Sequence, residues 1–155
     1  MNRRVYVGAL SAVTLVVLVV DRSSKWIALN FFIEPVYINK FLTFDLTFNR
    51  GISGGFLHFD TTGAFCLVCA AVSAILVAII IWTWHVYRQG GSIIGQVLII
   101  SGGFSNIIDR VIYGGVIDFI SVSLNGWHWS ILNIADIIIN IGVLILILQS
   151  FFAKK

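Results

Sequence analysis

Four stretches of the chain run with little or no charge for long enough to cross about 30 Å of hydrocarbon. The first is uncharged from Val5 to Val20, and its helix is expected to continue through Asp21 and Lys25 to Phe31, with Pro35 stopping it. The other three predicted helices are residues 63–84, 89–108 and 131–152. Between them the hydrophobic period changes. Leu42, Phe44, Leu46 and Phe48 alternate strictly with polar residues, and Asn49-Arg50-Gly51 supplies a turn. Residues 116–124 alternate too, with Val116, Ile120, Val122 and Leu124 on the apolar face. The pattern predicts a membrane all-α bundle of four transmembrane helices with a small extracytoplasmic β element, made from residues 36–49 and 116–124. It reads as one integral membrane domain over residues 1–155, without internal repeat or linker.

Composition removes the soluble alternatives. Hydrophobic residues make up 59% of the chain, charged residues only 11%, and the mean hydropathy is +0.99, whereas a soluble domain carries about 25% charge. Polar groups could not cover such a surface, so lipid must. The net charge of +3 comes from scattered Lys and Arg flanking apolar runs, which speaks for membrane boundaries and against nucleic acid. Arg3, Arg4, Arg88, Lys154 and Lys155 cluster in short flanks free of acid, so both termini are expected in the cytoplasm. Trp82 and Trp84 then mark the inner edge, and Trp26, Trp127 and Trp129 the outer. No small-x-small cleavage site follows the first apolar run, so it reads as an uncleaved helix. Cys66 and Cys69 lie in an uncharged run that disfavours thiolates and read as packing residues.

The seven acidic residues separate into two groups. Glu34, Asp45 and Asp60 fall in external polar contexts. Asp21, Asp109, Asp118 and Asp136 fall in apolar ones, where ionisable groups are costly and usually functional. Asp21 has Lys25 one helical turn later, a spacing that suits a structural ion pair. Asp109 precedes Arg110 and is expected in a local polar network. Asp118 and Asp136 have no basic neighbour within seven residues. Asn133, Asp136 and Asn140 form one polar stripe, and Gly102 or Gly103, Asn106 and Arg110 form another. Lipid cannot solvate either stripe, so they should face each other across a glycine-assisted close approach.

Two carboxyls meeting at low dielectric share a proton. Such a pair can hydrolyse an amide, the anion taking a proton from water while the acid polarises the scissile carbonyl. Other hydrolytic chemistries lack parts: there is no G-x-S-x-G elbow, no H-E-x-x-H helix, and His58, His85 and His128 lack ligand spacing. Membrane carboxylates also serve proton-coupled transporters, but those favour midplane charges and internal repeats. A non-enzymatic assembly protein, using its polar stripes to bind partner helices, is a third reading.

The motifs Asp21-Arg-Ser-Ser-Lys25, Asn49-Arg-Gly-Ile-Ser53, Gly102-Gly-Phe-Ser-Asn106-Ile-Ile-Asp109-Arg110, Val116-Ile-Asp118-Phe119 and Asn133-Ile-Ala-Asp136 occur in that order. In this the chain resembles the lipoprotein signal peptidase (signal peptidase II) family. The resemblance implies a multi-pass aspartyl endopeptidase of the bacterial cytoplasmic membrane, with its active site on the extracytoplasmic side. Such an enzyme cleaves diacylglyceryl-modified prolipoproteins just before the lipidated cysteine. It implies Asp118 and Asp136 as the catalytic pair, with Asp21, Lys25, Asn49, Asn106, Asp109, Arg110, Asn133 and Ala135 shaping the site or holding substrate. It also implies inhibition by globomycin-type cyclic peptides, contact with membrane lipid, a monomer, and neither metal nor organic cofactor. One departure stands out: Gly54 occupies a position where the family usually has an aromatic residue.

Overall fold

A computed structural model describes residues 3–51, 61–124 and 127–152. The expectations for Gly54, His58, Asp60, Lys154 and Lys155 lie outside the described residues.

Helix α1, Arg3–Phe31, has 29 residues, a length of about 43 Å at 1.5 Å per residue. It therefore carries Asp21 and Lys25 well beyond its uncharged half. Two strands follow, β1 (Val36–Asn39) and β2 (Leu42–Asn49). Helix α2, Thr62–Arg88, starts at an N-cap where the Thr61 hydroxyl accepts from the Ala64 N–H at 3.4 Å. Gly90, at φ +77°, turns the chain into α3, Ile94–Tyr113. Strands β3 (Val116–Leu124) and β4 (Trp127–Leu132) then lead into α4, Ile134–Phe152.

The four strands form one antiparallel sheet in the order β1-β2-β3-β4. It sits at the end of the bundle where α1 and α3 finish and α2 and α4 begin. Ala28 of α1 packs there on Ile117 and Phe119 of β3, with Phe44 and Leu46 of β2 alongside. Phe32 stacks on Phe44 at 4.8 Å between ring centroids, and the Leu46 N–H donates to the Phe32 carbonyl at 3.2 Å.

Helix α3 packs against all three other helices. Glycines set its approach to α4: a Cβ on Gly95 would meet the Gly142 carbonyl oxygen at 2.9 Å, and one on Gly102 the Ala135 carbonyl oxygen at 2.7 Å. Burial is inverted relative to a soluble protein. Asp21, Asp109 and Asn133 are 0% exposed, while Leu15, Leu67, Ile81 and Phe151 are each more than 60% exposed. Helices α1, α2 and α4 are long and apolar enough to span a membrane, whereas α3 is not among them. The buried polar face of α3, including Gln96, Ser101, Ser105, Asn106, Asp109 and Arg110, lowers its hydropathy.

Several expectations need correction. Helix α3 begins five residues later than expected and runs five further, to Tyr113, because Asp109 and Arg110 have partners inside the bundle and need not end it. Ile131 and Leu132 belong to β4, not to the fourth helix, which starts after Asn133. The N-terminal half of β3 is buried on both faces, since Ile117 and Phe119 are enclosed as well as Val116 and Asp118. Phe48, beyond a register shift between Phe44 and Thr47, lies 43% exposed beside Tyr113.

Candidate active site

Four elements bring Asp118 and Asp136 to one cavity. Asp118 stands on β3 opposite Thr47 of β2. Asp136 is the third residue of α4, and the β3–β4 hairpin with Asn133 connects the two. Both line a cavity of about 140 Å³ together with Asn49, Asn106, Arg110, Val116, and apolar groups of α2 and α4.

Three amides surround the carboxyls, and donor-only neighbours fix how each is turned. The Asn133 side-chain oxygen accepts from the Asp136 N–H at 2.9 Å, capping α4. Its Nδ2 therefore faces Asp118, donating to Oδ1 at 2.6 Å. The Asn49 oxygen accepts from the Gly51 N–H at 2.8 Å, which aims its Nδ2 at Asp118 Oδ2, 2.9 Å away. The Asn106 oxygen accepts from Lys25 Nζ at 2.9 Å and from Asn133 Nδ2 at 3.2 Å. Its own Nδ2 then donates to Asp136 Oδ1 at 2.9 Å. A backbone N–H or an ammonium cannot accept a hydrogen bond, so flipping any of these amides would break contacts on both sides.

An ionic cluster lies behind this layer. Lys25, 1% exposed, pairs with Asp21 Oδ2 and Asp109 Oδ2, each at 2.7 Å. Asp21 Oδ1 accepts the Ala135 N–H at 2.8 Å, and Asp109 Oδ2 accepts the Ile117 N–H at 3.3 Å. Each supporting aspartate thus holds the backbone of the residue just before a cavity aspartate. Lys25 ties the two supports together and reaches the cavity through Asn106. Ser105 completes Asp21, donating to Oδ2 at 2.6 Å, and Arg22 bridges Asp109 and Asp21.

Arg110 does not pair with Asp109. It donates from one terminal nitrogen to the Asn106 carbonyl at 3.2 Å and from the other to the Gly51 carbonyl at 3.0 Å. Its buried Nε–H has no acceptor among the described residues. Burial, and then the charge of Asp136, push the Asp118 carboxyl up to about 7, against the pull of its hydrogen bonds from Asn49 and Asn133.

The structure gathers the ten residues that the family resemblance implies: Asp21, Lys25, Asn49, Asn106, Asp109, Arg110, Asp118, Asn133, Ala135 and Asp136. Asn140 stands apart, exposed and donating to the Asp136 carbonyl of its own helix at 2.9 Å. Ser105, Arg22 and the Gly51 carbonyl were missed. Ser105 resembles any small polar residue on a membrane helix, and Arg22 counts first as a flanking cation. Only the neighbouring Asp21 and Asn106 could have marked them. Among the described residues no group of three or more His, Cys, Asp or Glu is placed to hold a metal ion.

Comparisons with known proteins bear on the whole chain. The family described as signal peptidase (SPase) II matches residues 13–152. The lipoprotein signal peptidase of Thermodesulfovibrio yellowstonii is 33% identical over 156 residues, covering 97% of this chain and 98% of the relative. That of Pelagibacter ubique is 34% identical over 151 residues, covering 92% and 88%. A solved bacterial membrane enzyme superposes with a TM-score of 0.76 at 23% identity, covering 96% of this chain and 90% of the other, a likeness of fold.

Proposed function

The chain belongs to the signal peptidase II family of membrane proteases, and from that premise we propose that Asp118 and Asp136 are the aspartyl dyad that cleaves lipoprotein precursors. The observation that carries this is the meeting of both carboxyls at one buried cavity, with three amides turned to donate to them. Nothing in the fold or among the relatives favours a transporter.

The dyad works with one shared proton. Asp118, pushed up to about 7, holds it and donates to the scissile carbonyl as that oxygen gains charge. Asp136 takes a proton from the attacking water and returns it to the leaving nitrogen. Asn49, Asn106 and Asn133 keep the carboxyls in place between turnovers. Arg110, with its free Nε–H, offers a donor to a second substrate carbonyl. Asp21, Lys25, Asp109 and the tightly enclosed Ala135 hold β3 and α4 in register.

The substrate is a diacylglyceryl-modified prolipoprotein, cut just before the lipidated cysteine. It arrives laterally from the bilayer with its scissile bond at the depth of the dyad. Helix α3, enclosed by the other three, makes the fourth crossing, so both termini lie in the cytoplasm and the sheet lies on the extracytoplasmic face. The protein acts as a monomer without metal or organic cofactor, and a globomycin-type peptide competes for the cavity.

Mass analysis of the cleavage products tests this reading. Purified protein is expected to leave the lipidated cysteine as the new N-terminus, and globomycin is expected to block the cut. Equal cleavage of unlipidated precursor, or a cut elsewhere, would overturn the substrate assignment.

A further inference from the structure

A second cavity lies in the half of the bundle away from the sheet, bordered by α1, α2 and α3. It shares no residue with the cavity holding Asp118 and Asp136. Its volume is about 310 Å³, at the small end of ligand sites and far too little for another helix about 10 Å across.

The wall is mainly apolar, with the hydroxyl-bearing Ser11, Thr14, Thr83 and Tyr87 set among larger apolar side chains. Leu10, Ile80, Val97 and Ile100 are apolar. The Thr14 and Thr83 hydroxyls on the wall are already spent on their own helices, donating to Leu10 O at 3.1 Å and Ile79 O at 2.6 Å.

Charge at the mouth points to the headgroup. The Arg88 guanidinium lies 5.9 Å from the ring centroid of Trp84, a wall residue. Arg3 and Arg4 occupy the first turn of α1, one turn before the cavity residue Val7. Among the described residues no acidic side chain falls at this end of the bundle: Asp21, Asp109 and Asp136 lie towards the sheet, and Glu34, Asp45 and Asp118 outside the helices. Among the described residues no acidic side chain pairs with Arg88, and one such arginine favours an anionic lipid by roughly five-fold.

We propose that this cavity holds one acyl chain of an anionic phospholipid whose headgroup rests against Arg88 at its mouth. The site is separate from the proteolytic one, and its test does not depend on cleavage.

Delipidated protein in detergent would be titrated with phosphatidylglycerol or phosphatidylcholine of identical chains, and bound lipid read by native mass spectrometry. Wild type is expected to retain phosphatidylglycerol about five-fold or more over phosphatidylcholine. Ser11→Phe, which fills the cavity, is expected to lose that retention. Arg88→Gln is expected to narrow the preference while keeping chain binding. Unchanged retention in Ser11→Phe, or no headgroup preference in wild type, overturns the proposal. Should Ser11→Phe fail to fold, a photoreactive residue at position 97 in cells gives the same decision. A phospholipid adduct supports the site, and an adduct to a polypeptide overturns it.

Discussion

Replacing Lys25 with Met isolates the link between the ionic cluster and the dyad. The Lys25 ammonium has three donors, and three short contacts use them: Asp21 and Asp109 at 2.7 Å each, and Asn106 at 2.9 Å. Methionine keeps much of the volume and removes every donor. Asp21 then retains Ser105, the Ala135 N–H and a long contact to Arg22 at 3.5 Å, while Asp109 retains Arg22 and the Ile117 N–H. Breaking a buried pair from one side costs about 3–5 kcal/mol, so Tm in detergent should fall by on the order of 10 °C. Activity should fall for a different reason. Asn106 loses the cation and keeps only the longer contact from Asn133, at 3.2 Å, to hold its oxygen, and a flipped amide would set that oxygen against Asp136. One hydrogen bond to a charged group is worth about 1.5–3 kcal/mol, or roughly 10- to 150-fold in kcat, with KM little changed. The assay is prolipoprotein cleavage normalised to folded protein. A kcat per folded molecule matching wild type would refute the idea that Lys25 holds the amide.

Gly102→Ala places a methyl 2.7 Å from the Ala135 carbonyl oxygen, a backbone atom beside Asp136. It should cost about 1–3 kcal/mol of stability and lower cleavage while the protein still inserts, checked by thermal melts and turnover. Asn133→Ser keeps a capping oxygen for α4 but loses the donor to Asp118, so it should fold almost as wild type with a reduced kcat. The pH profile follows from the raised Asp118 carboxyl: protonated below about 7 and ionised above it, it should let cleavage decline as pH rises through neutrality. A rate unchanged from pH 6 to pH 9, an interval chosen to straddle that value, would contradict Asp118 as the proton holder.

The parts of this site that depend on local spacing were legible in the sequence. Lys25 follows Asp21 by one turn, and the ion pair forms there. Asp118 and Asp136, set among apolar neighbours without nearby cations, do face one cavity. What depended on distant partners was not legible. Asp109 looked like the end of a helix because its cation comes from α1, more than 80 residues away, while its neighbour Arg110 turns to the Gly51 carbonyl. Strand β4 was absorbed into the fourth helix because Ile131 and Leu132 continue its apolar run. Only pairing with β3, Ile120 opposite Leu132 and Ser121 opposite Ile131, makes it a strand. Asn140 kept the helical spacing of the polar stripe but not its environment.

The central claim is that two carboxyls, without a metal, perform the cleavage. The most direct measurement is turnover of a diacylglyceryl-modified prolipoprotein by purified protein in detergent with EDTA, beside Asp118→Asn and Asp136→Asn. Wild type is expected to cut and both variants, though folded, are expected to leave the precursor intact. Wild-type turnover by either variant, or loss of wild-type activity on chelation, would contradict the account.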